Sequence, residues 1–222
     1  MLLLVWWDRY IISEPIMKKH FIFDCDDTLT NSYDFNQQMF VDTFLPYSPD
    51  IDQNYLRELH FNSRGMAMNL QFETAINHFK LNADPKVMME ENEQLHIKSI
   101  EQMTIFEDVY NLFSELKKKG RTISITSNRQ YGSLRLIIEK NNLTESVDDL
   151  ISCKDEGFEK PDPTCILNLI EKYKAPKEEF LYFGDSKTDS DFALNAGIDY
   201  IIVDHYLNQK KFYKIILQTF LQ

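Results

Sequence analysis

Apolar residues follow two rhythms along this chain, and the switch between them divides it. Phe21-Ile22-Phe23 is a short unbroken apolar run that stops abruptly at Asp24, which predicts a buried strand carrying acidic residues to a sheet edge. Beyond Tyr33 the spacing becomes helical. Phe35, Met39, Phe40 and Phe44 fit one helix face, Phe72, Ile76 and Phe79 another, and Met88, Leu95, Ile100 and Met103 a looser stripe. Residues 33–102 are therefore expected to be all-helical. Phe106, Val109, Tyr110, Phe113 and Leu116 then predict an amphipathic helix stopped by Lys117-Lys118-Lys119-Gly120, with cations at the negative end of its dipole and glycine as its C-terminal cap.

From there strands and helices alternate. Strands are expected over 122–126, 150–152, 180–183 and 200–203, and helices over 134–138 and through Ile166, Leu169, Ile170 and Tyr173. Asp162 is read as the N-cap of the latter helix and Pro163 as its first residue, and Phe212, Ile215, Ile216 and Phe220 as the face of a closing C-terminal helix. Such alternation implies an α/β fold with a doubly wound, Rossmann-like parallel sheet. The core is assigned to residues 18–32 and 103–222, with 33–102 as an inserted helical domain. Ligands of open parallel sheets sit at the carboxyl ends of the strands, and Asp24, Thr126 and Asp185 each end or closely follow an apolar run.

Composition narrows the classes. A chain of 222 residues with 43% hydrophobic content can bury one substantial core and a small accessory domain. Its net charge of -11 repels polyanions, and no basic stripe interleaves with aromatics, so nucleic acid is not an expected partner. Cys25, Cys153 and Cys165 form no CxxC pair, which fits free thiols in a reducing, cytoplasmic setting and indicates neither disulfide framework nor zinc site. Leu2-Leu3-Leu4-Val5-Trp6-Trp7 is too short to span a bilayer and lacks a basic flank before it. Because Met17-Lys18-Lys19 directly precedes the first strand, Met17 is read as the natural start and residues 1–17 as a non-native or disordered extension. A monomer or weak dimer is expected.

The most informative stretch is Asp24-Cys-Asp26-Asp27-Thr28. Carboxylates buried side by side are costly unless a cation neutralises them, so the cluster predicts a metal site, a reactive site, or both. Taken with Thr126-Ser127-Asn128, Lys160-Pro161 and Gly184-Asp185-Ser186-Lys187-Thr188-Asp189, it resembles the four ordered motifs of the haloacid dehalogenase-like hydrolase superfamily. Each motif alone is weak, and Lys-Pro is nearly uninformative; the ordered set at strand ends carries the resemblance. Two positions depart from the family pattern: Asp27 replaces a glycine, and Glu107-Asp108 a common Pro-Gly. Aspartate tolerates a left-handed backbone better than most residues, so the first change bears on loop geometry.

The resemblance implies that Asp24 attacks phosphorus to form an aspartyl phosphate, while Asp26 protonates the leaving oxygen and then activates water, which calls for a pKa near working pH. It implies Mg2+ held by Asp24, the backbone carbonyl of Asp26 and Asp185. Lys160 and Thr126 would steady the phosphoryl oxygens, and Ser127 and Asn128 would approach the substrate. Asp189, four residues after Asp185 and expected to share a helical face with it, would orient Lys160 or a metal-bound water. Judged alone, Lys160 reads rather as a solvated lysine, and a first-turn acid favourable to a helix dipole is a rival reading of Asp189. Arg129 either reaches the substrate with Asn128 or is a surface charge flanking a helix.

The insert between the first two motifs resembles the subgroup with a small helical cap, which includes phosphoglycolate phosphatases and β-phosphoglucomutases. The resemblance then implies a small phosphorylated metabolite as substrate. Arg64, with Arg57, His60, Asn62 and Lys80, is a candidate to select it. Asp26 disfavours C–P and C–halogen chemistry, and Asn36 stands where the mutases carry a histidine. A magnesium-dependent phosphatase leads; a phosphosugar mutase and a low-turnover phosphate-binding relative are the alternatives.

Overall fold

The computed structural model describes residues 17–63 and 67–203. Five parallel strands form one sheet: β1 (His20–Phe23), β2 (Thr122–Ser127), β3 (Asp149–Ser152), β4 (Phe180–Gly184) and β5 (Asp199–Ile202), in the order β3-β2-β1-β4-β5. The chain winds outward from β1 through β2 to β3, then returns to the other side of β1 for β4 and β5. The winding direction thus reverses between β1 and β4, where open sheets of this kind place their ligands. Phe23 pairs with Ile125 on β2 and with Phe183 on β4, so the residue after it, Asp24, opens onto that crevice.

Alternation along the strands fills both faces. Phe21, Phe23, Ile123, Ile125, Leu181 and Phe183 pack with Val109, Leu112, Phe113 and Leu116 of α5 (Glu107–Lys118) and with Leu134, Ile137 and Ile138 of α6 (Tyr131–Lys140). On the opposite face, Ile22, Phe180 and Tyr182 meet Ile166 and Leu169 of α7 (Thr164–Tyr173) and Phe192, Ala193 and Ala196 of α8 (Lys187–Ala196). Burial on both sides explains why the strands read as continuous apolar runs.

Between β1 and β2 lie α1 (Tyr33–Phe44), α2 (Gln53–Asn62), α3 (Met68–Phe79) and α4 (Pro85–Lys98), followed by a short 3-10 turn at Ile100–Gln102. Phe40, Phe44, Leu56, Phe72, Ala75, Ile76 and Met88 form a cluster within these helices, while Phe35, Met39, Ile100 and Met103 join the main core. The α1 stripe therefore serves two cores at once. The two connecting segments run side by side, with Asn31 N–H donating to Thr104 O at 3.2 Å and Phe106 N–H to Leu29 O at 3.0 Å.

Several sequence expectations need adjustment. Tyr110 is exposed, because the buried stripe of α5 is Val109, Leu112, Phe113 and Leu116. Pro163 is the N-cap of α7 and not its first residue, yet Asp162 still serves the helix start, accepting the Thr164 N–H at 2.9 Å. Gly120 does end α5 with φ +67°. The expected C-terminal helix and the segment 1–16 lie outside the described residues.

Candidate active site

Asp24 is the first residue past β1, and its N–H donates to Phe183 O at 2.8 Å, so the sheet fixes its backbone. Its carboxylate is buried and accepts from Lys160 Nζ at 2.6 Å. Lys160 also donates to Tyr182 OH at 2.7 Å and to Asp189 Oδ1 at 3.0 Å, with its side chain only 3% exposed. Tyr182 OH in turn donates to Asp189 Oδ1 at 2.7 Å. Burial opposes the lysine charge, but Asp189 and Asp24 more than offset it and hold the ammonium well above the usual lysine range. The solvated-lysine reading of Lys160 is excluded by this geometry.

Asp189 lies in the first turn of α8. Its Oδ2 accepts from Ser186 N–H at 3.2 Å and Ser186 Oγ at 2.5 Å, completing a reciprocal cap. One Asp189 oxygen thus caps the helix while the other accepts from Lys160. The sequence spacing suggested that Asp185 and Asp189 share a helical face. Instead Asp185 lies in the turn before Ser186, the N-cap, and only Asp189 is helical. Gly184 makes this turn possible: a Cβ there would stand 2.3 Å from Asp189 Cβ.

Asp24, Asp185 and Asp189 each offer a carboxylate oxygen within 4.8 Å of the others. Burial, then the charges of Asp24, Asp189 and Asp27, pushes Asp185 up to about 9. Burial likewise pushes Asp24 up to about 7, with Asp189 and Asp26 adding to it against the pull of Lys160. Asp189 is already engaged by Lys160, Tyr182 and Ser186, which leaves Asp24 and Asp185 as the under-compensated pair. Two such carboxylates with hard oxygen donors fit a divalent cation of the Mg2+ type.

Asp26 sits in a different environment. Arg129 Nε donates to Asp26 Oδ2 at 3.0 Å and Arg129 Nη2 to Asp26 Oδ1 at 2.6 Å, a two-point clamp with the arginine side chain 7% exposed. Asn36 Nδ2 adds a third donor at 3.0 Å. Burial opposes ionisation of Asp26, but Arg129 and Asn36 more than offset it and hold the carboxyl well below the ordinary aspartate range. The expectation of a pKa near working pH is therefore not met in this state. Arg129, one reading of which is a surface charge, instead turns its side chain inward onto Asp26, and His96 reaches it from α4 through Asn36.

The remaining candidates arrange around these. The Asn128 side chain holds the Lys160 backbone at two points: Lys160 N–H donates to Asn128 Oδ1 at 2.8 Å, and Asn128 Nδ2 to Lys160 O at 3.3 Å. Ser127 Oγ accepts the Arg129 N–H at 3.0 Å. Thr126 follows the residue that pairs with Phe23 and so stands beside Asp24; its hydroxyl is fully buried without a hydrogen-bond partner among the described residues. Asp27 adopts φ +57°, the left-handed conformation that a glycine would otherwise supply. Ser32 steadies it, donating through N–H at 3.2 Å and Oγ at 3.1 Å to Asp27 Oδ1.

A cleft of about 230 Å³ joins these groups to the insert, lined on that side by His60, Gln71, Met89, Asn92 and His96. Of the candidate selecting residues, His60 lines it, while Arg57 is turned to Gln37 and Gln38 of α1. Lys80 ends α3 in a left-handed conformation, and Asn62 borders a neighbouring depression beside Asp185. Arg64 lies outside the described residues. No helix among the described residues is long and apolar enough to cross a membrane.

The chain is 27% identical over 176 residues to pyrophosphatase PpaX of Bacillus cereus (strain G9842), an alignment covering 79% of this chain and 78% of that one. Its fold matches a Bacteroides fragilis protein described as a haloacid dehalogenase-like hydrolase, with TM-score 0.72 at 22% identity over 89% of this chain and 93% of the other. It also matches CbbY of Rhodobacter sphaeroides, solved in complex with phosphate, with TM-score 0.71 at 16% identity over 85% and 87% of the two chains. The profile of haloacid dehalogenase-like hydrolases matches residues 21–203, a span that begins at β1 and takes in the insert and all five strand ends, and to that family of enzymes the chain belongs.

Proposed function

We propose that the protein is a magnesium-dependent phosphatase acting on small phosphomonoesters through an aspartyl phosphate at Asp24. The observation that carries this reading is the Asp24 carboxylate at the strand-end crevice, gripped by Lys160 at 2.6 Å with Asp185 beside it. The relatives add support, since a pyrophosphatase and a phosphate-bound structure both concern phosphoryl groups. Asp24, Asp185 and the Asp26 backbone carbonyl would hold Mg2+, which when bound neutralises charge between the carboxylates and the phosphate.

This chain's own residues then divide the work. An Asp24 carboxylate oxygen forms a bond to phosphorus as the bond from phosphorus to the leaving oxygen breaks, and Asp26 delivers a proton to that oxygen. In the second half, Asp26 takes a proton from water, the water oxygen bonds to phosphorus, and the bond to Asp24 breaks to release phosphate. The Arg129 clamp keeps Asp26 ionised and weakens it as a base until the clamp is loosened. An entering phosphate dianion competes for the guanidinium and favours protonation of Asp26, which readies it for the first half. Lys160 stays cationic and places its charge at Asp24 while Asp189 and Tyr182 fix its direction. Thr126 and the backbone amides after β2 are set to donate to phosphoryl oxygens. Residues 33–102 act as the cap that covers the leaving group, within a core formed by 18–32 and 103–222.

Phosphate release from a panel of phosphomonoesters, with Mg2+ and with chelator, tests this. Release that needs Mg2+ and vanishes in Asp24→Asn is expected; equal release from Asp24→Asn and wild type would remove Asp24 from the reaction.

A further inference from the structure

Asp26 belongs to the core, yet much of what fixes its carboxylate comes from the insert. Asn36, in the first turn of α1, donates through Nδ2 to Asp26 Oδ1 at 3.0 Å and accepts through Oδ1 from Arg129 Nη2 at 2.8 Å. The amide cannot be reversed, because its NH2 would then face the guanidinium donors and its oxygen would face the carboxylate. His96 Nε2 lies 3.2 Å from that same Asn36 Oδ1. A neutral ring has one N–H for two acceptors, Asn36 Oδ1 and Asn92 O, the latter 2.9 Å from Nδ1; carried on Nε2, that proton is donated to Asn36 Oδ1. The ring is 4% exposed and meets Phe35 edge-on at 5.4 Å between centroids.

Helix α4 is itself tied down one turn before His96, to two different elements. The buried Asn92 Nδ2 donates to Thr43 Oγ1 of α1 at 3.0 Å. Glu93 accepts from Ser133 N–H at 3.0 Å and Ser133 Oγ at 3.1 Å in the first turn of α6, four residues after Arg129. His96 thus meets Asn36 from a helix anchored to the core close to where Arg129 leaves β2.

We propose that Asn36 and His96 are positioning residues for Asp26, so that the insert carries part of the acid–base apparatus as well as covering the cleft; this rests on the reading of Asp26 as the acid–base group. Arg129 alone neutralises the carboxylate but can follow it as it rotates. Asn36 fixes one oxygen, and His96 fixes Asn36. A proton donor displaced by about 1 Å loses on the order of 100-fold in rate, and only where the leaving oxygen needs the proton.

Leaving-group dependence separates this from a structural role. With Mg2+, kcat and KM are measured for p-nitrophenyl phosphate, whose leaving group departs without protonation, and for glycerol phosphate, whose alkoxide does not. Asp26→Asn is expected to lose far more on the alkyl ester. His96→Ala and Asn36→Ala should follow the same ranking, losing about 10–100-fold in kcat on the alkyl ester and a few-fold on the aryl ester. In the Asp26→Asn background, His96→Ala should add nothing. Equal losses on both esters, or a full additional loss in that background, overturn the proposal and leave the role of Asp26 standing. Equal losses in Asp26→Asn itself would overturn that role. Asn36 is only half-buried, so its variant decides the matter if His96→Ala does not fold.

Discussion

Removing divalent cations exposes an alkaline weakness that can be worked out from two carboxyls. Burial and neighbouring acids raise Asp24 to about 7 and Asp185 to about 9, against an ordinary value near 4 in the unfolded chain. Such groups favour folding fully below the unfolded value, and that contribution is lost as pH rises through the folded value. Below about pH 6.5 the trend is partly offset, because His96 is lowered by burial and Arg129 to about 3 and its opposite slope cancels one of the two carboxyls. Between about pH 7 and 9 the Asp185 proton dominates, at about 1.4 kcal/mol per pH unit. Metal-free protein should therefore lose about 2–3 kcal/mol across that range, which is about 5–10 °C in Tm for a chain of this size. Differential scanning fluorimetry in chelator, repeated with Mg2+ and with Asp185→Asn, measures it. Mg2+ should raise Tm more at pH 9 than at pH 7, and Asp185→Asn should flatten the metal-free slope. A wild-type stability that is level or rising over this range, or an unchanged slope in Asp185→Asn, would refute the reasoning.

Two further substitutions probe the charge clamp. Lys160→Met leaves the buried Asp24 and Asp189 carboxylates without their shared cation and should cost about 3–5 kcal/mol in urea unfolding at neutral pH; a midpoint equal to wild type would show the contacts carry little. Gly184→Ala sets a methyl group 2.3 Å from Asp189 Cβ and should cost about 1–3 kcal/mol while lowering turnover far more than substrate affinity, since Asp189 directs Lys160. Unchanged kcat in that variant would show that Lys160 needs no such direction.

The parts of this molecule that sequence makes legible are those governed by local periodicity. The run Phe21-Ile22-Phe23, ending at Asp24, already implies a buried strand and a carboxylate at its exit, and the structure places both there. The left-handed turn at Asp27 follows from aspartate's tolerance of that conformation. What stays hidden is pairing across elements. Arg129 and Asp26 are 103 residues apart and His96 and Asn36 are 60 apart, so no spacing rule links them. One signal did exist: an arginine directly after Thr126-Ser127-Asn128, at a strand end already crowded with acids, is poorly placed to remain a free surface charge. The Asp185–Asp189 spacing misled because a helical period was applied across Ser186, where the helix begins.

The account rests on Asp24 becoming phosphorylated. Acid quenching of the enzyme during turnover with Mg2+ and a phosphomonoester, followed by peptide mass spectrometry, tests it most directly. The peptide containing Asp24 should gain the mass of one phosphoryl group, the gain should disappear on treatment with hydroxylamine, and Asp24→Asn should show none. Steady turnover with that peptide unmodified at every quench time, or a phosphoryl group on another side chain, would contradict it.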